Sequence, residues 1–173
     1  MALFAHLARD MPINEVVVRS LGEFVDVVTP SEPDSRTGRR RDTGVYRGTR
    51  HALTPLYTSL DRLGGTSPPH TKADLEEHVL RNFIRYSRPH VDQARPHDAW
   101  EMLITAQHHG VPTRLLDWSY SPLVAAFFAT RPADNGDDDR AVWRLDWQTL
   151  HRKYGIAPLA LLIEDLDSNR GPR

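Results

Sequence analysis

Two short stretches of this chain gather the residue types that could do chemistry. The first is Val45-Tyr46-Arg47-Gly48-Thr49-Arg50. An arginine between an aromatic residue and a glycine can grip a phosphate with two parallel N–H bonds while the backbone comes close. An equally good reading makes Arg47 one half of a structural ion pair with Asp117 or another carboxylate, because a buried guanidinium must find such a partner. The second stretch is Gln107-His108-His109-Gly110-Val111-Pro112-Thr113-Arg114-Leu115-Leu116-Asp117-Trp118, followed by Ser119-Tyr120-Ser121. Polar groups carried into a core need hydrogen-bond partners. Gln107, His108, Thr113, Arg114 and Asp117 therefore either satisfy one another or wall a site.

Other chemistries are less well supplied. Nine histidines are present, but His108 and His109 are adjacent and diverge on a helix, and no H-E-x-x-H occurs. No metal is expected. No G-x-S-x-G marks a nucleophile, and Ser121 is more simply a helix cap. Neither G-x-G-x-x-G nor a Walker-type loop is present, which disfavours dinucleotide-binding and nucleoside-triphosphatase folds of those kinds. With no cysteine there is no disulfide framework, thiolate nucleophile or sulfur-ligated zinc.

The elements that must position these residues can be read from pattern. Val16–Val18 is a β-branched run and predicts a short strand. Ser20 with Glu23 three residues on predicts an N-capped helix through Val28, stopped by Thr29-Pro30. Residues 31–43, with Arg36, Arg39, Arg40 and Arg41, read as a flexible solvated loop in preference to a phosphate-gripping arm. Gly44–Arg50 is a strand. Leu56, Tyr57, Leu60 and Leu63 have helical spacing over 53–63. Thr71 caps a helix whose Leu75, Val79, Phe83 and Tyr86 share a face, ended by Pro89. A second helix starts at Pro96–Asp98, carries Trp100, Leu103, Ile104 and Gln107, and ends at His109-Gly110. Ser121 and Pro122 open a third, from Leu123 to Ala129, apolar on nearly all sides and so expected to be buried. Residues 132–140 form a loop. Ala141–Leu145 is a strand anchored by Trp143, Asp146 caps a short helix to His151, and Ile156–Ile163 is a strand or packed return. Residues 168–173 should fray. Helices mixed with non-alternating strands give an α+β class, in one domain spanning 1–173 with its core at 44–145.

Lys and Arg number 22 against 23 Asp and Glu, for a net charge of −1, which argues against a generally basic nucleic-acid binder. The first ten residues lack the pattern of a signal peptide, and the longest apolar run, Leu123–Ala129, is far short of a membrane span. A cytoplasmic protein with no membrane association is expected. The pattern leaves oligomeric state open.

Two blocks resemble the FRG domain, a bacterial and phage family named for an aromatic-Arg-Gly motif. One is Val45-Tyr46-Arg47-Gly48, with Leu56, Ser59-Leu60 and Arg62 downstream. The other is Gln107 to Trp118, continued by Ser121-Pro122-Leu123 and Phe127-Phe128-Ala129. Together they cover about 44–145. The first block also looks like the opening strand of ADP-ribosyltransferases, and Ser119-Tyr120-Ser121 running into Pro122–Ala129 resembles their second motif. That resemblance implies small mixed or antiparallel sheets splayed around a cleft, with helices outside. It implies NAD as substrate, gripped by Tyr46, Arg47 and Gly48 with Arg114, Ser119 and Ser121 in support, and Tyr120 or Trp118 stacked on a ring. Catalysis would fall to Arg47 and a late glutamate. The one glutamate after Phe128 is Glu164, which lacks the family's E/Q-x-E pattern; Asp117 or His108 is the stand-in.

The resemblance thus implies an NAD-binding ADP-ribosyltransferase or NAD glycohydrolase, such as a toxin or phage-defence effector, acting on a protein or nucleic-acid acceptor. A rival is a non-catalytic interaction module whose polar network is structural. A third reading is a metal-independent nuclease using His108 or His109 with Arg114.

Overall fold

The computed structural model describes residues 13–30, 32–33, 37–38, 42–87, 99–132 and 139–155. Among these residues it is a mixed α+β fold with six helices and a two-stranded antiparallel sheet. Strand β1 (Val45–Thr49) pairs with β2 (Ala141–Leu145), Arg47 opposite Trp143 and Gly48 opposite Val142. At its other edge β1 makes a single antiparallel bridge, in which Tyr46 and Ser119 exchange backbone bonds of 2.7 and 2.8 Å. Thus β1 is the central element, between its partner strand and the turn that contains Asp117 to Ser121.

Helix α1 (Leu21–Val28) starts where its sequence says it should. Ser20 accepts from the Glu23 amide at 3.1 Å, and the Glu23 carboxylate reaches past the cap to the Arg19 amide at 2.7 Å. The expected strand at Val16–Val18 is absent: Val16 and Val17 are 61% and 74% exposed. A β-branched run becomes a strand only where a neighbour offers a ladder, and among the described residues none pairs with it.

The helix expected across 53–63 shrinks to α2 (Ser59–Arg62). Pro55 disfavours helix at the residue before it. Thr58 and Asp61 then form a reciprocal capping box, which makes Thr58 the N-cap and Ser59 the first helical residue. Helix α3 (Lys72–Ser87) opens on a second such box, between Thr71 and Asp74. Its inward face is centred on Glu76, while Tyr86, expected on the apolar face, is 68% exposed. Helix α4 is described from Ala99 to His108. It closes with Gly110 at φ +81°, the Gly110 amide on the Gln107 carbonyl and the Val111 amide on Ala106.

Helix α5 (Pro122–Thr130) has Ser121 as N-cap and Pro122 in the first turn. It crosses β1 so closely that a Cβ on Gly48 would lie 2.0 Å from the Ala125 carbonyl oxygen and 2.7 Å from the Ala129 nitrogen. That approach explains why α5 is not buried all round, as its composition suggests. The contact is made by backbone and by Ala125 and Ala129, each 2% exposed; Leu123, Phe127 and Phe128 remain 51–60% exposed. Helix α6 (Trp147–Lys153) follows β2 directly, capped by Asp146. The predicted start at Pro96–Asp98, the segment Ile156–Ile163, the tail 168–173 and the arginines at 36, 39, 40 and 41 lie outside the described residues.

Candidate functional site

The site is built outward from Thr113. This residue is fully buried, and each of its polar atoms is engaged. Its amide donates to Ser59 Oγ at 2.9 Å, and its carbonyl accepts from Ser59 Oγ and from the Leu60 amide, both at 3.1 Å. The Leu60 amide is one of the donors a helix start leaves unpaired, so the turn after α4 completes the first turn of α2. The Thr113 hydroxyl donates to Gln107 Oε1, and Gln107 Nε2 donates to Asp117 Oδ1 at 2.5 Å. One glutamine side chain thereby ties both ends of the turn to the last turn of α4.

Arg114 points elsewhere. Its guanidinium forms a salt bridge with Glu76 of α3, which is 4% exposed; Arg114 Nε lies 2.5 Å from Glu76 Oε2, and the Arg114 amide donates to Oε1 at 3.0 Å. The hydrogen bond to Glu76 holds the Arg114 guanidinium above its ordinary pKa. A buried carboxylate that accepts from side chain and backbone of one residue is a structural lock between α3 and the turn.

Tyr46 is also part of the frame. It is 1% exposed, and its hydroxyl donates to Asp42. Asp42 accepts two further bonds of 2.6 Å from Arg144 of β2 and one of 2.8 Å from the Gly44 amide. Arg144, above all, holds the Asp42 carboxyl well below the usual carboxylate range; burial and the Asp42 charge push the Tyr46 hydroxyl up to about 12. The Tyr46 ring is thus inside the core, and Gly48 is the seat of α5. Neither presents the side of β1 from which Arg47 projects, since alternate residues of a strand face opposite ways.

Arg47 is half-buried and differs from both other arginines. Its Nη1 donates to the backbone carbonyl of Asp117 at 2.7 Å, and no carboxylate pairs with it among the described residues. Burial first lowers its pKa; the Asp117 charge opposes that and the Arg62 charge reinforces it. The Arg47–Asp117 ion pair, one of the two readings of the sequence, is therefore replaced by a carbonyl brace, which orients the guanidinium.

The remaining candidates are placed as follows. Ser119 Oγ accepts from the Ser121 amide at 3.0 Å, and Ser121 Oγ caps α5. His108 is exposed at the end of α4, its ring edge-on to His109, which in turn packs near Phe83. Tyr120 is 65% exposed and lines a separate groove of about 670 Å³ with Val25, Pro122, Leu123 and Trp147. Glu164 lies outside the described residues. The structure thus joins Arg47, Asp117, Gln107 and Thr113, carries Ser119 beside β1, and diverts Arg114 to α3. No group of three histidines or carboxylates that could hold a metal occurs among the described residues.

Two residues of the frame, Glu76 and Asp42, were missed in the sequence. Glu76 could have been found: Glu76, Leu80 and Phe83 share the i, i+4, i+7 spacing of one helix face, so a carboxylate sits on the side expected to be buried. Asp42 carried no local signal, because its partner Arg144 is 102 residues away.

With this geometry in view, the chain belongs to the FRG domain family, whose model matches residues 42–138. That span opens on Asp42 and contains β1, α2 to α5 and the whole polar turn. No curated protein and no solved structure matches the chain. No helix among the described residues is long and apolar enough to cross a membrane.

Proposed function

We propose that this FRG domain binds NAD through Arg47 and acts on it in the manner of an ADP-ribosyltransferase or NAD glycohydrolase. The observation that carries this reading is the half-buried Arg47 guanidinium, held by a carbonyl and paired with no carboxylate among the described residues. The Asp117 charge acts on this cation without a direct bond, which offsets only part of the cost of taking it out of water. A ligand phosphate would supply a directly bonded anion and match the planar fork of donors left over after the bond to the Asp117 carbonyl.

Supporting geometry comes from the order of elements. The antiparallel bridge at Ser119 carries Arg47 toward Asp117 and Trp118, and leads the chain directly into α5. In this reading Ser119 and Ser121 shape the wall through the turn they cap, and Trp118 or Tyr120 supplies an aromatic face. Asp117, His108 and Glu164 remain the candidates for stabilising positive charge at the ribose in the transition state. The acceptor would be a protein, a nucleic acid or water.

The test is release of nicotinamide from NAD. The wild type should release it, and Arg47→Ala should not, while melting within a few degrees of the wild type. Loss of one carbonyl bond is worth about 1 kcal/mol. Absence of turnover by the wild type with any acceptor would remove the enzymatic part of the reading.

The exposed Leu123, Phe127 and Phe128 favour a second reading, a non-catalytic interaction module. It predicts partner binding that survives Arg47→Ala. The nuclease reading loses support because Arg114, its proposed anion-gripping cation, is held by Glu76.

A further inference from the structure

Two groups of Asp117 serve two different partners. Its backbone carbonyl accepts from Arg47 Nη1 at 2.7 Å, and its carboxylate accepts from Gln107 Nε2 at 2.5 Å. Arg47 thus bonds directly to a residue whose carboxylate could neutralise it, and that carboxylate is held elsewhere. The hold has a direction. The Leu115 amide donates to Thr113 Oγ1 at 3.3 Å, which leaves the Thr113 hydroxyl proton for Gln107 Oε1. With Oε1 committed to Thr113, the Gln107 Nε2 donors face Asp117. The opposite orientation of the amide would set two acceptors, Gln107 Oε1 and the Asp117 carboxylate, against each other. Thr113 is fully buried, and Ser59 and the Leu60 amide fix its backbone. A residue inside the core therefore sets how one glutamine amide points at the edge of the site.

A carboxylate set loose beside a half-buried guanidinium pairs with it, because the planar fork of donors fits two carboxylate oxygens as well as it fits a phosphate. We propose that Gln107 is a positioning residue for anion binding. It holds the Asp117 carboxylate off the Arg47 guanidinium, so that the donors not used by the Asp117 carbonyl stay open to a ligand phosphate. The proposal rests on the reading of Arg47 as the cation that holds a phosphate. It adds that the site contains its own competitor, and that Gln107 restrains it. Without Gln107 the carboxylate closes on Arg47, and a ligand has to displace it. Arg114, the other arginine near the turn, takes no part, since Glu76 holds it. Asp117 is exposed, so the competing pair is a weak one and its release weakens binding without abolishing it.

Calorimetric titrations of NAD and of inorganic phosphate test this on the wild type, Arg47→Ala, Gln107→Leu and the double variant Gln107→Leu/Asp117→Asn. Arg47→Ala should bind neither ligand. Gln107→Leu should weaken binding by about three- to fivefold, the worth of an exposed ion pair. The double variant should bind at least as tightly as the wild type, because an amide at position 117 cannot neutralise Arg47. A merely structural role predicts no such rescue, since removing the second end of a hydrogen bond does not rebuild a frame loosened by removing the first. If Gln107→Leu fails to fold, Gln107→Glu with and without Asp117→Asn carries the comparison. Its carboxylate still accepts from Thr113, cannot donate to Asp117, and can accept from an amide at 117. The positioning role is overturned if Gln107→Leu binds both ligands as the wild type does, if the double variant binds no better than Gln107→Leu, or if the wild type binds neither ligand. These outcomes separate from those of the NAD reading. Phosphate binding that falls in Gln107→Leu and returns in the double variant, without NAD binding, keeps the positioning role and removes NAD. NAD binding that is lost in Arg47→Ala but indifferent to Gln107→Leu keeps NAD and removes the positioning role.

Discussion

Three arginines show how much a residue's neighbours decide. Arg144 and Arg114 each take a carboxylate and become fasteners, one between residue 42 and β2, the other between α3 and the turn. Arg47 takes a carbonyl and keeps its charge. Truncating a fastener leaves its carboxylate behind. Arg114→Ala strands the Glu76 charge at a site 4% exposed, and should lower stability by about 2–3 kcal/mol in chemical denaturation. Arg114 is half exposed, so water reaches part of the gap and keeps the loss below that of a fully buried pair. An Arg114→Ala variant as stable as the wild type would show that the pair is not structural. At this scale the sequence shows which residue types matter and hides their partners. Gln107, Thr113 and Asp117 stand out as a dense polar turn, and they do satisfy one another. Whether Arg47 meets the Asp117 carboxylate or its carbonyl turns on Gln107, which takes the carboxylate from ten residues away and leaves the carbonyl to Arg47.

Elements were legible where local chemistry decides and illegible where a neighbour does. The caps at Ser20, Thr71, Ser121 and Asp146, and the glycine stop at Gly110, lie where their hydrogen bonds form within a few residues. Val16–Val18 had the composition of a strand and no ladder to join. Helix α5 had the composition of a buried helix, yet its contact with β1 runs through small residues and Gly48. Gly48→Ala puts a methyl group against the Ala125 carbonyl, where backbone has to move, and should cost about 3 kcal/mol or prevent folding. A normal melting curve for Gly48→Ala would mean that α5 does not seat there. The clamp on Asp42 predicts a pH signature for the β1–β2 pair. Its carboxyl ionises more readily folded than unfolded, where 3.8 is the ordinary value. Stability from this group is therefore present above pH 3.8 and lost as the pH falls through the lowered folded value. Asp42→Asn should melt lower than the wild type near neutral pH, by the equivalent of about 2 kcal/mol, and the gap should narrow below pH 3.8. A gap that stays constant into acid would contradict the clamp.

The whole molecule carries almost no net charge, so an anion is not drawn to it by a general field. Recognition must come from a local arrangement, and the fold supplies one by joining β1, α2 and the turn after α4 through a single buried threonine. The α+β class and the FRG family, matched over residues 42–138, could be read from pattern and resemblance. The division of labour within that stretch could not, because it depends on which side chains of distant segments reach one another. The central claim is that Arg47 is left unneutralised for a ligand while the surrounding polar groups hold the frame. A calorimetric titration of NAD into wild type and Arg47→Ala tests it most directly. The account predicts saturable binding to the wild type and no detectable heat of binding to a folded Arg47→Ala variant; equal binding by both proteins, or none by the wild type, would contradict it.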